Sequence, residues 1–430
     1  MRAGARIAAA IEVLDAILTR YQPVAIALTD WGKTHRFAGS GDRNAIGGLV
    51  YDALRHRASL AWALGADTPR ALAIGAAPSA LGLSTEVVIA ACDGADHSPG
   101  PLSDEERLGL TRDRADAPAC AQADIPEWLW PAFSSQFGEN AVAEGQAMAK
   151  RAPADLRVNT LKATPEKVLK ALTSFGAVAC PISPIGVRIA PPEGAQRTPN
   201  LQAEAAFQAG WFEIQDEGSQ IAALLAGAGS RKQVLDLCAG AGGKTLALAA
   251  VMQNTGQLYA YDANRLQLKP IFDRIKRAGV RNVQVLRGGD EAALTALGPR
   301  FDVVLCDAPC TGSGTWRRRP DAKWRLKPDA LAARMAEQRS VLARGATLVK
   351  RGGRLVYVTC SILPEENTGQ VAEFLAANSE FRIIPTAEAW AAAGSAELPP
   401  SADGRSDSLL LTPARHGTDG FFVAVLERAS

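Results

Sequence analysis

With 430 residues, 47% of them hydrophobic and 21% charged, the chain is long enough for two or three domains and apolar enough to give each a core, which excludes global disorder. A net charge of +2, from 47 Lys plus Arg against 45 Asp plus Glu, argues on its face against a polyanion partner. No run approaches the roughly eighteen apolar residues of a membrane span, and Met1 to Ala10 carries no signal-peptide pattern, so a cytoplasmic protein away from membranes is expected.

Residues 1–138 read as an all-α domain. Ile7 to Leu18 is apolar with Glu12 and Asp15 interspersed, and Asp42 to Leu64 places Ile46, Leu49, Val50 and Leu54 at helical spacing. Residues 66–100, rich in Ala, Gly and Pro, read as a loose connection or short helices. Residues 139–212 form a small α/β segment: Leu156 to Asn159 is strand-like, and Thr164 before Pro165 is an N-cap followed by proline at the first helical position. Its strand-and-helix part ends near Pro191-Pro192, where a polar linker, Glu193 to Asn200, begins.

From 213 to 430 strands and helices alternate. Trp211 to Gln215 is extended, and Asp216 caps a helix over 217–225. Apolar strands then recur at Val234, Gln257, Val283, Phe301 and Arg354, with helix-length stretches between them such as 265–278 and 329–350. This pattern predicts a doubly wound, Rossmann-like parallel sheet that binds its ligand at the carboxyl ends of its strands.

Seven cysteines, an odd and scattered set with no Cys-x-x-Cys, fit neither a disulfide framework nor a zinc knuckle. His35, His56, His97 and His416 are isolated from each other and from cysteine, so no metal site is expected. The chemistry must rest on Cys, Asp and Lys.

The first strand of the sheet runs into Cys238-Ala239-Gly240-Ala241-Gly242-Gly243-Lys244-Thr245. Its end matches a Walker A loop, but Cys238 stands where that loop's first glycine belongs, and the third glycine of a dinucleotide fingerprint is missing as well. Asp262 ends the second strand, where a carboxylate can accept hydrogen bonds from ribose hydroxyls. Asp290 follows the third strand, within reach of an adenine edge. An adenosine ligand with no pyrophosphate site points to S-adenosylmethionine. The fourth strand delivers Asp307-Ala308-Pro309-Cys310-Thr311-Gly312 and the fifth Thr359-Cys360-Ser361; neighbouring strands would bring both thiols into one crevice. Such a pair suits cytosine carbon 5, a poor nucleophile until a thiolate adds to carbon 6. A carboxyl such as Asp307 could hold ring nitrogen 3 and the exocyclic amine, while Lys244 supplies positive charge. These residues alone do not order the two cysteines.

Together with Glu365-Glu366-Asn367, the upstream Leu156-Arg157-Val158-Asn159 and Gln215 to Gln220, and the closing Arg415 to Phe422, these motifs resemble the RsmB-like (Sun/Nop) family of RNA cytosine carbon-5 methyltransferases over about 155–428. The resemblance implies that Cys360 is the nucleophile and that Cys310 assists release of the product. It also implies cofactor contacts from Cys238 to Lys244, Asp262 and Asp290, with Asp307 where cofactor and target base meet. Ala241 replaces the family's usual proline, and Thr311 its usual serine.

The helical part is similar to the NusB-like RNA-binding domain of bacterial members through Phe37 to Arg43 and Leu49 to Arg55. The expected protein is therefore a monomeric, S-adenosylmethionine-dependent enzyme acting on RNA, ribosomal RNA first, with its target base flipped out of the stack. A P-loop nucleotide-binding protein and a non-catalytic RNA-binding assembly factor are the alternatives.

Charge is unevenly spread. Residues 1–140 carry 12 basic and 17 acidic side chains, so any RNA contact there needs a local face such as Lys33, Arg36, Arg43, Arg55 and Arg57. Residues 301–360 carry 12 basic and 5 acidic, densest from Trp316 to Lys327, where basic and aromatic side chains alternate as a single-stranded RNA site requires.

Overall fold

The computed structural model describes residues 1–192, 199–391 and 397–430. The expected linker lies outside the described residues from Glu193 to Thr198. The chain divides into two compact units.

The first unit is helical and comprises mainly Met1–Arg151 and Trp316–Leu326. Helices Ala3–Arg20 and Ser40–Arg55 bury Ile7, Leu14, Ile46, Leu49 and Val50 in one core. The single helix expected over 42–64 is two, broken at His56, with Arg57–Leu64 following. The loose stretch also resolves into helices, Pro69–Leu81 and Thr85–Ala91, capped by the hydroxyls of Thr68 and Ser84. Helix Pro69–Leu81 is buried on nearly every face, and a Cβ at Gly75 would lie 2.8 Å from Leu60 Cδ2. A helix enclosed in this way needs small side chains and shows no amphipathic stripe, so its sequence reads as a loop. The helical part also passes the expected boundary at 138: helix Ala141–Met148 belongs to it, and the unit runs to Arg151.

Its last piece comes from far along the chain. Helix Pro320–Arg325 and the residues around it complete this unit. Trp316 and Lys323 are each 1% exposed and Arg317 is 5% exposed. Trp324 Nε1 donates to the Leu54 carbonyl at 2.6 Å, Lys323 Nζ to the Arg55 carbonyl at 3.3 Å, and Arg55 Nη2 to the Arg317 carbonyl at 3.2 Å. The first two bonds satisfy carbonyls at the C-terminus of helix Ser40–Arg55, where orphan acceptors and the helix dipole favour cations. This corrects the reading of 316–327 as an RNA-contacting loop in part: Trp316 and Arg317 are buried, and Lys323 and Trp324 spend their donors on the helix end, while Arg318, Arg319 and Lys327 stay exposed. Burial pushes the Lys323 ammonium down to about 8.

The second unit holds two sheets. The small one comprises β1 (Ala154–Val158), β2 (Val178–Ala179), β3 (Gly186–Ile189) and β4 (Phe212–Ile214), antiparallel in the order β2-β3-β1-β4. Asp155 on β1 takes Arg188 Nε at 2.7 Å and the backbone N–H of Glu217 at 3.0 Å, fastening this sheet to helix Glu217–Leu225. Asp155, Cys180 and Glu217 have the spacing of metal ligands, but the Arg188 guanidinium pairs with both carboxylates.

The large sheet comprises β5 (Gln233–Asp236), β6 (Gln257–Ala260), β7 (Val283–Val285), β8 (Phe301–Asp307), β9 (Val349–Thr359), β10 (Phe381–Ile384), β11 (Leu409–Leu411) and β12 (Phe421–Arg428). The order is β7-β6-β5-β8-β9-β12-β10, with β11 also on β12; β5 to β9 pair in parallel and β12 is antiparallel to its neighbours. The chain leaves β5 outward through β6 and β7, then returns to β8 on the other flank of β5. That reversal is the topological switch point at which open α/β sheets bind ligands.

Candidate active site

The glycine loop leaves β5 at the switch point and feeds helix Gly243–Val251. Gly240 (φ +50°) and Gly242 (φ +85°) adopt left-handed backbone, and a Cβ at Gly242 would stand 2.5 Å from Ile271 Cγ1. A Cβ at Gly240 would meet nothing nearer than 3.8 Å and would point toward Gln267 and Asp262, so glycine leaves room for a ligand beside that carboxylate. Asp262 Oδ2 accepts the Gly240 N–H at 2.9 Å, and Oδ1 accepts that of Asn264 at 2.7 Å. The carboxylate thus sets the loop's path while lining a cleft of about 1280 Å3. Cys238, Ala239, Gly240, Ala241, Gly243, Lys244 and Asp307 line the same cleft. The volume holds a drug-sized ligand with space for a second group.

Asp290 is placed differently from the other candidates. It caps helix Glu291–Ala296 by accepting the Ala293 N–H at 3.0 Å, and it is not among the residues lining the cleft. Its neighbour Glu291 is, bound to the Tyr261 hydroxyl at 2.6 Å and to Arg344 at 2.6 Å. Sequence reading missed this wall, because Glu291 and Arg344 lie on separate helices with no motif between them.

Strands β8 and β9 are direct neighbours, with Asp307 opposite Val358, so the segments after them meet. Cys310 Sγ and Cys360 Sγ are 3.3 Å apart. Their loops are interlocked: Gly314 donates to the Cys360 carbonyl at 2.9 Å, Ser313 and Ser361 share a hydroxyl bond of 2.8 Å, and Asn367 Nδ2 donates to the Ser361 carbonyl at 2.9 Å. Glu366, fully buried, accepts the Thr311 N–H at 2.8 Å, the Thr311 hydroxyl at 2.5 Å and Gln338 Nε2 at 2.9 Å. It therefore fixes the residue after Cys310. The sequence marked Glu366 only as part of a motif, and this structural role needed the fold to be visible.

Lys244 is 7% exposed and pairs with Asp307 at 2.7 Å, its ammonium 5.2 Å from the Phe421 ring centre. Asp236, fully buried below the loop, accepts the Thr245 hydroxyl at 2.7 Å, and burial pushes its carboxyl up to about 7. The hydrogen bond with Cys360, then burial and nearby negative charge including Glu366, hold the Cys310 thiol well above its ordinary range. Burial likewise raises the Cys238 thiol, which makes it a poor competitor as nucleophile.

A parallel-rich sheet with a glycine loop at its switch point, an aspartate after the next strand and two cysteines after the following two is the frame of a Rossmann-like methyltransferase. A profile described as "16S rRNA methyltransferase RsmB/F" matches residues 223–427, and one described as "Methyltr_RsmF/B-like, ferredoxin-like domain" matches 125–195. The "Probable ribosomal RNA small subunit methyltransferase B" of Synechocystis is 30% identical over 339 residues, 76% of this chain and 70% of the relative. "Ribosomal RNA small subunit methyltransferase B" of Sodalis glossinidius is 35% identical over 70% of this chain and 64% of its own length. The chain thus spans about two thirds of these relatives. Among solved structures, "Crystal Structure of PH0851" superposes with a TM-score of 0.72 at 27% identity over 99% of both chains. The fold is shared also by NSun6 from Pyrococcus horikoshii, solved with the S-adenosylmethionine analogue SFG, at a TM-score of 0.62 and 22% identity over 71% of this chain and 99% of that one. The chain belongs to the RsmB/F family of S-adenosylmethionine-dependent RNA methyltransferases.

Proposed function

We propose that this chain methylates carbon 5 of a cytosine in ribosomal RNA through a covalent adduct between Cys360 and carbon 6. The observation that carries the reading is the thiol pair, 3.3 Å apart beside the Lys244–Asp307 ion pair. With the Cys310 thiol held above its ordinary range, Cys360 is the member of the pair left to attack. Its proton leaves to solvent, the S–C6 bond forms, and the displaced electron pair is held at ring nitrogen 3 by the Asp307–Lys244 pair. S-adenosylmethionine would be held by Cys238 to Lys244 and Asp262, and when bound would supply the methyl group to carbon 5; Asp290, spent on its helix cap, is left out of that set.

Release then runs through the two thiols. Cys310 hands its proton to the departing Cys360 sulfur, the S–C6 bond breaks as the C5–C6 double bond re-forms, and the carbon-5 proton passes to the Cys310 thiolate. Both thiols end neutral, and the step consumes no further reagent.

The P-loop alternative is disfavoured by Cys238 in place of the first glycine and by Lys244 being engaged with Asp307. A non-catalytic assembly factor leaves the aligned thiols without a purpose. The test is transfer of labelled methyl from S-adenosylmethionine to ribosomal RNA by the purified chain, with the product nucleoside identified by mass spectrometry. Label in 5-methylcytidine is expected; label in another nucleoside, or none, would overturn the reading.

A further inference from the structure

The cleft has a wall that the thiol chemistry does not use. After β7 the chain turns through Gly288 and Gly289; the Gly289 N–H donates to the Asp262 carbonyl at 3.2 Å, and a Cβ at Gly288 would stand 2.7 Å from Arg265 Cα. The turn therefore packs directly on the residues that follow β6. Its two acids then part: Asp290 is spent on its helix cap, while Glu291 lines the same cleft as Asp262.

Glu291 is held from two sides. Its Oε1 accepts the Tyr261 hydroxyl and its Oε2 pairs with Arg344 Nη2, each at 2.6 Å. Arg344, on helix Pro328–Leu348, is steadied in turn by donating Nη1 to the Thr295 hydroxyl at 2.8 Å. Tyr261 is buried, and burial followed by the bond to Glu291 holds its hydroxyl above the ordinary range, so it remains a donor. A carboxylate offers about four lone-pair sites, and these two donors leave the others open. The Glu291 side chain is half exposed at the cleft, so a ligand can reach them.

The sheet order says which ligand group that is. The thiols follow β8 and β9 on one flank of β5, whereas Asp262 and Glu291 follow β6 and β7 on the other. Neighbouring strands lie about 4.8 Å apart, so several strand widths separate the end of β7 from the cysteines that take the target base. The cofactor's ribose is expected at Asp262, and its purine is the next group along. Adenine carries an exocyclic amine, a donor that matches a carboxylate; a purine with a carbonyl at that position sets an acceptor against it.

We propose that Glu291, braced by Tyr261 and Arg344, selects adenine in the cofactor by accepting a hydrogen bond from its exocyclic amine. The proposal rests on the S-adenosylmethionine reading of the cleft and moves base recognition from Asp290, where the sequence placed it, to the residue after it. Tyr261 and Arg344 are positioning residues that act through the carboxylate.

The test compares binding of S-adenosylhomocysteine with that of S-inosylhomocysteine, which has a carbonyl oxygen in place of the amine, to the full chain by calorimetry. The parent should prefer the adenosine compound by at least about tenfold, the effect of a lost hydrogen bond to a charged acceptor. Glu291→Gln carries an NH2 group that can donate to the carbonyl, so its preference should fall toward equality through weaker adenosine binding and stronger inosine binding. Tyr261→Phe keeps the ring and removes one brace, and should lower the preference by a smaller factor. Glu291 is half exposed, and its glutamine variant should melt close to the parent. A parental preference in Glu291→Gln, or an equal loss of affinity for both compounds, would overturn the proposal and leave Glu291 as a tie between helices Glu291–Ala296 and Pro328–Leu348. A parent that binds neither compound would instead count against the cofactor reading itself, which separates the two failures.

Discussion

Replacing Glu366 by glutamine tests whether the proton relay depends on the placement of Cys310. The carboxylate accepts three hydrogen bonds, two of them from Thr311, and it is fully buried. Glutamine keeps the shape but carries no charge, and its NH2 group, standing where the second oxygen stood, turns the Thr311 hydroxyl from donor to acceptor. Hydrogen bonds to a charged acceptor contribute about 1.5–3 kcal/mol each against about 0.5–1.5 kcal/mol for neutral ones, so over the bonds at this acceptor a stability loss of about 2–4 kcal/mol is expected. The kinetic effect should exceed what unfolding explains. If the Cys310 loop relaxes by about 1 Å, the relay slows on the order of 100-fold, while Cys360 still attacks. Glu366→Gln should therefore accumulate the covalent protein–RNA adduct in single-turnover reactions, seen as a slow band on a denaturing gel. Its affinity for S-adenosylmethionine should be unchanged, because Glu366 does not line the cleft. Loss of the negative charge should also let the Cys310 thiol fall from its raised position, although its bond to Cys360 is the larger cause. Parental turnover with no adduct, in a variant whose melting temperature confirms that the bonds are lost, would refute the reasoning.

Cys360→Ser should abolish methyl transfer while leaving cofactor binding nearly intact by calorimetry; residual turnover would move the nucleophile elsewhere. Cys310→Ala should trap the adduct more completely than Glu366→Gln, and a denaturing gel without the slow band would count against its role in release. Asp262→Ala removes the acceptor for Gly240 and Asn264 as well as the expected ribose contact, so affinity for S-adenosylmethionine should fall at least tenfold by calorimetry. Asp236 has its carboxyl raised to about 7 in the folded chain. Because the unfolded value is about 3.9, the unfolded state ionises first as pH rises, and the folded state loses stability between about pH 4 and pH 7. Asp236→Asn, which can still accept from Thr245, should flatten that decline; parallel melting curves against pH for parent and variant would contradict the assignment.

Much of the catalytic unit is legible in the sequence because its chemistry sits at strand ends. Each of β5, β6 and β8 is a short apolar run stopped by Gly, Pro or Asp, so the residues after it announce themselves, and the neighbouring of β8 and β9 follows from the doubly wound order. Asp290 shows the limit of that reasoning: the residue after a strand can as readily cap the next helix as face the ligand, and both uses look the same in one dimension. Glu366 shows another limit, since a carboxylate that holds a loop fifty-five residues away has no local signature. The run from Trp316 to Lys327 carried a composition that fits RNA and helix ends equally well. Only the fold shows that the orphan carbonyls of Leu54 and Arg55 take its donors. Helix Pro69–Leu81 was hidden for the opposite reason, being too uniformly small and apolar to show a period.

That inserted run also constrains how the chain is made. A ribosome releases residues 1–151 early, yet their helical unit lacks its closing piece until residue 326 has emerged, about 10–35 s later at roughly 5–20 residues per second. Throughout that interval the C-terminus of helix Ser40–Arg55 lacks its capping side chains. The helical unit is thus completed only after β8 and Cys310 have been synthesised, which ties its maturation to that of the second unit.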